Sequence, residues 1–162
     1  MKKFTTACAL LCLIVVVGLA SSPAATLPSY AGTWTIDKDK SKDVPQMMAN
    51  ITEMVVRQDD KHISIKPGAN DEVSYNLDGS KSKVQLTAGR FPGEATVYLE
   101  KKDDGKIVLH SERNLNFQGN DITIKVTEAW ELSADGKTLT TNRTVESPRG
   151  TQTFTMVFNK KA

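Results

Sequence analysis

The stretch ITIKVTEAWELSADGKTLTTNRTVE, residues 122–146, alternates apolar and polar side chains on both sides of the dipeptide Asp135-Gly136. Alternation with a period of two is typical of a strand with one buried face, and Asp-Gly between two such runs is typical of a tight hairpin. We therefore expect two antiparallel strands here, joined by a two-residue turn.

The same pattern recurs along the chain and predicts ten strands, with eight to ten as the range. They span residues 31–36, 51–58, 62–66, 72–77, 83–87, 94–101, 106–117, 122–132, 138–146 and 152–159. Turn pairs lie between many of these runs, at residues 78–79, 104–105, 119–120, 135–136 and 149–150. Connections this short force antiparallel neighbours. We expect an all-β fold, a single antiparallel up-and-down β-barrel, because closure removes exposed sheet edges; a two-sheet sandwich is the alternative.

Residues 37–50 form one long connection, which is polar except for Val44, Met47, Met48 and Ala49. This segment is either a flap or short helical lid over one end of the barrel, or a surface crossover whose methionines pack on that end. Pro45 limits any helix to the few residues after it, because proline fits only the first helical turn.

Residues 1–25 have the three parts of a secretory signal peptide. Lys2 and Lys3 come first, an apolar run follows over residues 9–17, and small residues occupy 20–25. We expect cleavage there, a domain over residues 26–162, and a secreted or periplasmic protein. An uncleaved anchor and a lipid attached at Cys12 are the alternatives. No later segment approaches the ~20 apolar residues of a spanning helix, so we expect no membrane span in the mature chain.

Removal of the leader changes the charge balance. The chain has 21 Lys and Arg against 19 Asp and Glu, and the loss of Lys2 and Lys3 makes the two counts equal. A neutral domain lacks the basic face that neutralises phosphates, which argues against nucleic acid as a partner. Both cysteines, Cys8 and Cys12, lie in the leader. Core burial rather than disulfides must therefore stabilise the mature domain.

The usual catalytic motifs are missing from the sequence. There is no Gly-x-Ser-x-Gly turn and no phosphate-binding glycine loop, and both histidines, His62 and His110, fall on the polar phase of their strands. The mature chain has no cysteine to join them in a metal site, and its carboxylates show no ligand spacing. We therefore expect no enzymatic activity, no metal and no cofactor.

Charged side chains on the apolar phase of strands are more informative. Arg113, Glu128 and Arg143 each fall among apolar residues of their predicted strands. If residues 135–136 form a two-residue turn, Glu128 lies directly opposite Arg143. A three-residue loop with a bulge instead places Glu128 opposite Asn142 and turns Arg143 outward.

Two further pairings follow from the turns. The two-residue turn at 135–136 also places Trp130 opposite Thr141. If Gly119-Asn120 is the centre of the preceding turn, Ser111 lies opposite Glu128, with Arg113 one diagonal step away. Three strands then bring two arginines and one glutamate to a single inward patch.

Buried charges are costly unless they are paired, so this group is either a closed ion network or a positively charged site for an anion. Tyr75 is also on the apolar phase and adds a hydroxyl donor. We predict that the ligand-binding residues are Tyr75, Ser111, Arg113, Glu128 and Arg143. The alternative is that Glu128 and Arg143 form a solvated pair near a barrel opening.

Gly32-Thr33-Trp34 on the first predicted strand, the long first connection and hairpins such as residues 132–139 together resemble the calycin group. This group comprises the lipocalins and the intracellular fatty-acid-binding proteins, and the chain resembles exported bacterial lipocalin-like domain proteins in particular. The resemblance implies a barrel that encloses a small, largely apolar molecule, and a Trp34 that closes one end of the core with an arginine stacked on it. Two features differ: the chain ends in a strand, 153–158, where lipocalins have a helix, and only residues 37–50 stand where fatty-acid-binding proteins have two lid helices.

From the residues and this resemblance we expect an exported small-molecule-binding barrel. Its ligand is either apolar or amphipathic, and an amphipathic ligand could carry an anionic head. The alternative is an interaction or structural barrel whose core is filled by its own side chains. The sequence leaves the oligomeric state open.

Overall fold

The computed structural model describes residues 27–87, 93–117 and 120–162. The predicted leader, residues 1–25, and the predicted turn residue Gly119 lie outside the described residues. The strands are β1 (Gly32–Lys42), β2 (Glu53–Gln58), β3 (His62–Pro67), β4 (Val73–Asn76), β5 (Ser82–Leu86), β6 (Gly93–Lys101), β7 (Ile107–Phe117), β8 (Asn120–Leu132), β9 (Thr138–Ser147) and β10 (Gly150–Lys160). One 3₁₀ turn, Gln46–Met48, lies between β1 and β2. Among the described residues, no helix has the length and apolar character needed to cross a membrane.

All ten strands form one antiparallel sheet in the order β4-β3-β2-β1-β10-β9-β8-β7-β6-β5. The first and last strands are neighbours, with Trp34 paired to Lys160, so the meander curls back on itself. The result is an up-and-down barrel that is closed except between β4 and β5. The predicted all-β barrel is confirmed, with the larger of the predicted strand counts.

The Asp78-Gly79 turn does not produce a paired hairpin, contrary to the prediction. β4 pairs with β3 and β5 pairs with β6, but β4 and β5 share no ladder. The chain directly after β4 stays beside the start of β3, because Leu77 N–H donates to Lys61 O at 2.7 Å. A side chain on Gly79 would lie 3.1 Å from Leu99 O of β6. This link is therefore held between β3 and β6 instead of folding β5 back along β4.

The core is densest at one end of the barrel, here called the lower end, which carries the chain segment 27–30 and the turns around residues 60, 104 and 135. The largest fully buried side chains are Tyr30, Trp34, Ile63, Val97, Ile107, Trp130, Leu139, Thr141 and Phe158. The opposite, upper end carries residues 43–52 and the turn between β9 and β10. Inward-facing Val73, Val84 and Val145 are only half-buried there.

The segment 27–30 seals the lower end. Tyr30 is fully buried; its N–H donates to Gln58 Oε1 at 2.8 Å, and its hydroxyl donates to Gly105 O at 3.2 Å. Its ring meets Trp130 edge-on, with the centroids 5.7 Å apart. Two strands and a turn thus hold this segment across the barrel floor.

Trp34 is fully buried, as predicted, and its Nε1–H donates to Tyr30 O at 3.0 Å. The cation over its ring is Lys160 rather than the expected arginine, with Nζ 5.3 Å from the ring centroid. Gly32 makes room for this contact, because a Cβ there would lie 2.6 Å from Lys160 Cε, and its φ of +148° is one that other residues rarely adopt. The Gly-x-Trp spacing therefore has a packing explanation.

The register between β8 and β9 agrees with the prediction. Glu128 pairs with Arg143, and Trp130 pairs with Thr141. The alternative register, with Glu128 opposite Asn142, is wrong. Arg143 consequently faces the barrel interior.

The β8–β9 turn itself differs from the predicted two-residue turn. Ser133 N–H donates to Thr138 O at 2.8 Å, which leaves a four-residue loop, and Gly136 N–H donates to Ser133 O at 2.8 Å. Only Gly136 of the Asp-Gly pair has positive φ, +68°, whereas a type I′ turn needs two such residues. The longer loop adds one residue on each side of the pair, so the strand register is unchanged.

The β7–β8 register differs from the prediction by two residues. Ser111 pairs with Val126, not with Glu128. The ladder continues to Asn120, which the prediction placed in the turn. A shift of two residues keeps each side chain on its predicted face, so Ser111 and Arg113 still face inward, but it moves Arg113 farther from Glu128 along the barrel.

Residues 37–42, predicted as part of the long connection, continue β1 to Lys42. The register against β10 shifts within this part, which forms a bulge. Ser41 bridges the bulge: its hydroxyl donates to Asp37 O at 2.7 Å and accepts Val157 N–H at 3.0 Å. The Ser41 hydroxyl thus replaces the backbone partner that the bulge removes. This replacement explains why residues 37–42, which are mostly charged and do not alternate, can remain in a strand.

The remaining connection contains a single 3₁₀ turn directly after Pro45, which matches the limit that proline sets. Val44 and Met48 pack against the core, while Met47 is 66% exposed. Of the two alternatives, the described chain favours the crossover, with one of its methionines on the barrel end and a single 3₁₀ turn where a helical lid was the other possibility.

Candidate functional site

Several polar and charged side chains face the barrel interior above the sealed floor. We call this group the inner patch; its members are Tyr75 on β4, Arg113 on β7, Glu128 on β8, and Thr141 and Arg143 on β9. Each lies on the inward-facing phase of its strand, because successive side chains of a strand point to opposite faces of the sheet. Three consecutive strands, β7 to β9, and the more distant β4 thus supply these side chains.

Glu128 is held between two partners. Its Oε2 lies 3.4 Å from Arg143 Nη1, and its Oε1 accepts a hydrogen bond from Trp130 Nε1–H at 3.0 Å. The side chains of Arg143 and Glu128 are 21% and 13% exposed, so this ion pair is largely shielded from water. Arg143 Nε is buried and has no hydrogen-bond partner. The glutamate is therefore satisfied more fully than the arginine.

Arg113 has even fewer partners. Its Nε is buried without a hydrogen bond, and within the described part of the chain its guanidinium makes no ion pair. Burial lowers the pKa of Arg113, and the positive charge of Arg143 lowers it further. The nearby charge of Asp71 acts in the opposite direction. Guanidinium groups stay protonated even so, which leaves an inward-facing cation with unused donors.

Tyr75 is buried, and desolvation raises the pKa of its hydroxyl, with the charge of Glu128 adding to the increase. The hydroxyl is consequently neutral at physiological pH. Arg143 and Arg113 also act on this pKa, which places Tyr75 close to both arginines. Among the described residues no group hydrogen-bonds to this hydroxyl. Tyr75 therefore offers a free donor beside two cations.

Ser111 lies on the inward face next to Arg113 but does not face Glu128, for the register reason given above. Its neighbours across the strands are Val97 and Val126, both buried. It therefore lies at the edge of the inner patch and not at its centre. Its predicted role in binding stays a prediction.

Thr141 is a member of the inner patch that was not among the predicted binding residues. It is fully buried, and its hydroxyl has no hydrogen-bond partner. A signal existed in the sequence, because Thr141 is polar and lies on the same phase as Leu139 and Arg143. Threonine is common on both the buried and the exposed faces of strands, so this signal is weak.

The two histidines lie away from the inner patch. His110 stacks on Tyr98 of the neighbouring strand, with the ring centroids 4.4 Å apart, and its Nε2 is 3.6 Å from Glu100. His62 lies beside Asp59, whose carboxylate is 3.5 Å away. Within residues 27–87, 93–117 and 120–162, no three His, Cys, Asp or Glu side chains are placed to share a metal ion.

No protein-family model, curated protein or solved structure matches this chain significantly. The fold itself is compatible with a calycin-like barrel, since it is a nearly closed antiparallel meander of ten strands.

Proposed function

We propose that this protein binds a small amphipathic molecule in the upper half of its barrel, with the anionic head on Arg113 and Arg143. Tyr75 donates a further hydrogen bond to the head, and Glu128 orients Arg143. Ser111 lines the approach beside Arg113. The chain acts as a carrier or receptor for its ligand and performs no chemistry on it.

The unpaired state of Arg113 is the observation that carries this proposal. The barrel interior holds two arginines and one glutamate, and that glutamate is already engaged by Arg143 and the Trp130 indole. A shielded cation without partners is costly, because the protein supplies nothing to replace its lost hydration. An anionic ligand head would recover this cost through charge-assisted hydrogen bonds.

The surroundings of the inner patch suit an apolar tail. Val73, Val84 and Val145 pack against the core while staying half-buried, so they present apolar surface that the protein's own side chains do not fully cover. The arginine donors supply orientation, and the apolar wall supplies most of the binding energy.

We further propose that the protein is an exported lipocalin-like barrel, in which residues 1–25 direct export. This places its ligand outside the cytoplasm. The support is the charged, apolar and small-residue order of the leader, together with the calycin-like meander.

The test compares three ligands with the same twelve-carbon chain: dodecanoate, dodecan-1-ol and dodecylammonium. We expect titration calorimetry to show dodecanoate binding most tightly. Arg113→Met should weaken dodecanoate binding by about tenfold to a hundredfold, because a hydrogen bond to a charged group contributes about 1.5–3 kcal/mol. Dodecan-1-ol binding should be unchanged, since methionine keeps the apolar bulk.

Arg149→Met is the matched control, because Arg149 is an exposed arginine in the β9–β10 turn, outside the barrel interior. It should leave all three affinities unchanged. Equal binding of the acid and the alcohol, or an equal loss in the two arginine variants, would contradict an anion site at Arg113.

A self-filled barrel with a structural or interaction role is the second candidate. The dense lower half favours it, since two tryptophans, Tyr30 and Phe158 occupy the interior there. Failure of all three ligands to bind at millimolar concentration would support this candidate.

A further inference from the structure

The gap between β4 and β5 is a seam in an otherwise hydrogen-bonded wall. Every other pair of neighbouring strands in the described sheet is joined by an antiparallel ladder. β4 has four residues and β5 has five, and each makes its ladder on one side only. Parting these two strands breaks no backbone ladder, whereas parting any other pair breaks several hydrogen bonds.

The seam lies beside the inner patch. Tyr75 on β4 belongs to that patch, and Val73 on β4 and Val84 on β5 are half-buried inward residues on the two sides of the gap. Asp71, just before β4, is close enough to Arg113 to affect its pKa. A molecule that passes between β4 and β5 therefore reaches the arginines directly.

One side chain fastens the upper end of the seam. Asp71 Oδ2 accepts a hydrogen bond from Thr87 N–H at 2.6 Å, and Asp71 Oδ1 accepts one from Thr87 Oγ1–H at 2.9 Å. Asp71 precedes β4 and Thr87 follows β5, so these two bonds span the gap. We call this pair the latch. Both residues are accessible to solvent, which makes the latch easy to open.

The lower end of the seam is joined by the chain itself. Residues 77–81 connect β4 to β5, and Asn76 Nδ2–H donates to Ser80 Oγ at 2.9 Å within this link. The seam thus has a covalent hinge at one end and a hydrogen-bonded latch at the other. This arrangement permits a swinging opening that keeps the rest of the barrel intact.

We propose that the ligand enters and leaves the barrel through the seam between β4 and β5, and that the Asp71–Thr87 latch controls the rate of this passage. This inference rests on the proposed binding function and adds the route by which the ligand reaches its site. The lower end offers no alternative, because the segment 27–30 seals it. The latch stabilises the closed wall without contacting the bound molecule, so it should set rates more than affinity.

A reversible covalent lock is the sharpest test. In the full chain with Cys8→Ala and Cys12→Ala, the pair Asp71→Cys and Thr87→Cys supplies the only cysteines. The probe is 1-anilinonaphthalene-8-sulfonate, an amphipathic anion that fluoresces in apolar sites, followed by stopped flow. Oxidation should slow its association and dissociation by at least about tenfold, and reduction of the same sample should restore both rates. Equal rates in the oxidised and reduced samples would overturn the seam as the route.

Weakening the latch should have the opposite effect and does not depend on disulfide formation. Thr87→Val removes one hydrogen bond without changing charge, and Asp71→Ala removes both. Each lost hydrogen bond should raise the open population about threefold to tenfold. We expect both rate constants to rise together in Thr87→Val, with the affinity for the probe unchanged within about twofold.

Thr123→Val is the matched control, because Thr123 Oγ1–H donates to Asn114 Oδ1 at 2.8 Å between two strands that share a full ladder. Its rates should match those of the unaltered protein. Equal rates in Thr87→Val and Thr123→Val would overturn the role of the latch. Failure of the unaltered protein to bind the probe would instead reject the proposed function, and with it this inference, so the two failures are distinguishable.

Discussion

The two ends of the barrel are built from different kinds of interaction. The lower end is sealed by aromatic side chains and hydrogen bonds, with Trp34, Tyr30 and Trp130 fully buried and Tyr30 in contact with both tryptophans. The upper half holds two inward arginines with unsatisfied nitrogens, half-buried apolar residues and the unpaired seam. We therefore expect the lower end to contribute most of the stability, while the upper half retains the unsatisfied groups on which the proposed binding site depends.

The turns show the same contrast. At the lower end, Asp78, Asp104 and Asp135 each precede a glycine, and each carboxylate accepts the backbone N–H two residues later, at 2.8, 3.2 and 3.0 Å. Asp59 does the same for Lys61 at 2.7 Å. At the upper end the described connections have no such series. The aspartates pre-form the lower turns and so fix that end of the sheet.

Truncation of the barrel floor should have the largest effect on stability. We expect Trp34→Ala to lower the free energy of unfolding by about 3–5 kcal/mol, because it removes a fully buried ring together with its hydrogen bond to Tyr30. Urea denaturation followed by circular dichroism measures this change. A loss below about 1 kcal/mol would show that the floor does not dominate stability.

A pair of leucines gives the matched comparison between the ends. Leu139 is fully buried near the floor, whereas Leu115 lies toward the upper end and is 8% exposed. Leu139→Ala should cost about 2–5 kcal/mol, and Leu115→Ala should cost less because the upper end can relax around the lost volume. Equal costs would remove the asymmetry between the two ends.

The sequence predicted the strand set and one register correctly, and it was wrong where local signals do not determine the outcome. The four-residue loop around Asp135 has the same centre as the predicted two-residue turn. The predicted pairing of Glu128 with Arg143 is therefore correct. At the preceding turn, the pair Gly119-Asn120 gave no means of choosing which residue starts β8, and Ser111 was misplaced by two positions.

The seam between β4 and β5 could not be predicted from the sequence for a different reason. Asp78-Gly79 carries the same turn signal as Asp135-Gly136, yet only the second joins paired strands. The difference arises from tertiary contacts of Leu77 with Lys61 and of Gly79 with Leu99, which no local pattern encodes.

The Glu128–Arg143 pair should show an intermediate effect on stability. Arg143→Met leaves Glu128 largely buried without its partner and should cost about 1–3 kcal/mol. Glu128→Gln removes the charge while keeping an acceptor for the Trp130 indole. The double variant should therefore recover at least half of the loss, as a double-mutant cycle by urea denaturation would show.

The same cycle also separates a closed structural pair from part of a binding site. Dodecanoate binding should fall in Arg143→Met and stay low in the double variant, since restoring stability does not restore the cation. Strong stability coupling without any change in dodecanoate affinity would limit Arg143 to a structural role.

The smallest expected effect concerns the acidic turns of the lower end. Hydrogen bonds lower the pKa values of three aspartates there. The main donor is the Lys61 backbone N–H for Asp59, the Lys106 side chain for Asp104 and the Ser133 hydroxyl for Asp135. A carboxylate with a lowered pKa in the folded state stabilises the fold fully above its unfolded pKa of about 3.9, and this contribution is lost as the pH falls through the folded value. The urea midpoint should therefore fall as the pH drops below about 4.

The triple variant Asp59→Asn, Asp104→Asn and Asp135→Asn should have a lower urea midpoint at pH 7 and a smaller fall toward pH 2.5 than the unaltered protein. Asparagine still forms such turns but carries no charge to lose. The control triple Asp39→Asn, Asp60→Asn and Asp103→Asn removes the same charge from exposed positions that accept no turn hydrogen bond. It should keep the original pH dependence, because it leaves the hydrogen-bonded carboxylates of the turns in place. Identical pH profiles for the two triples would show that overall charge, and not the turns of the lower end, governs acid stability.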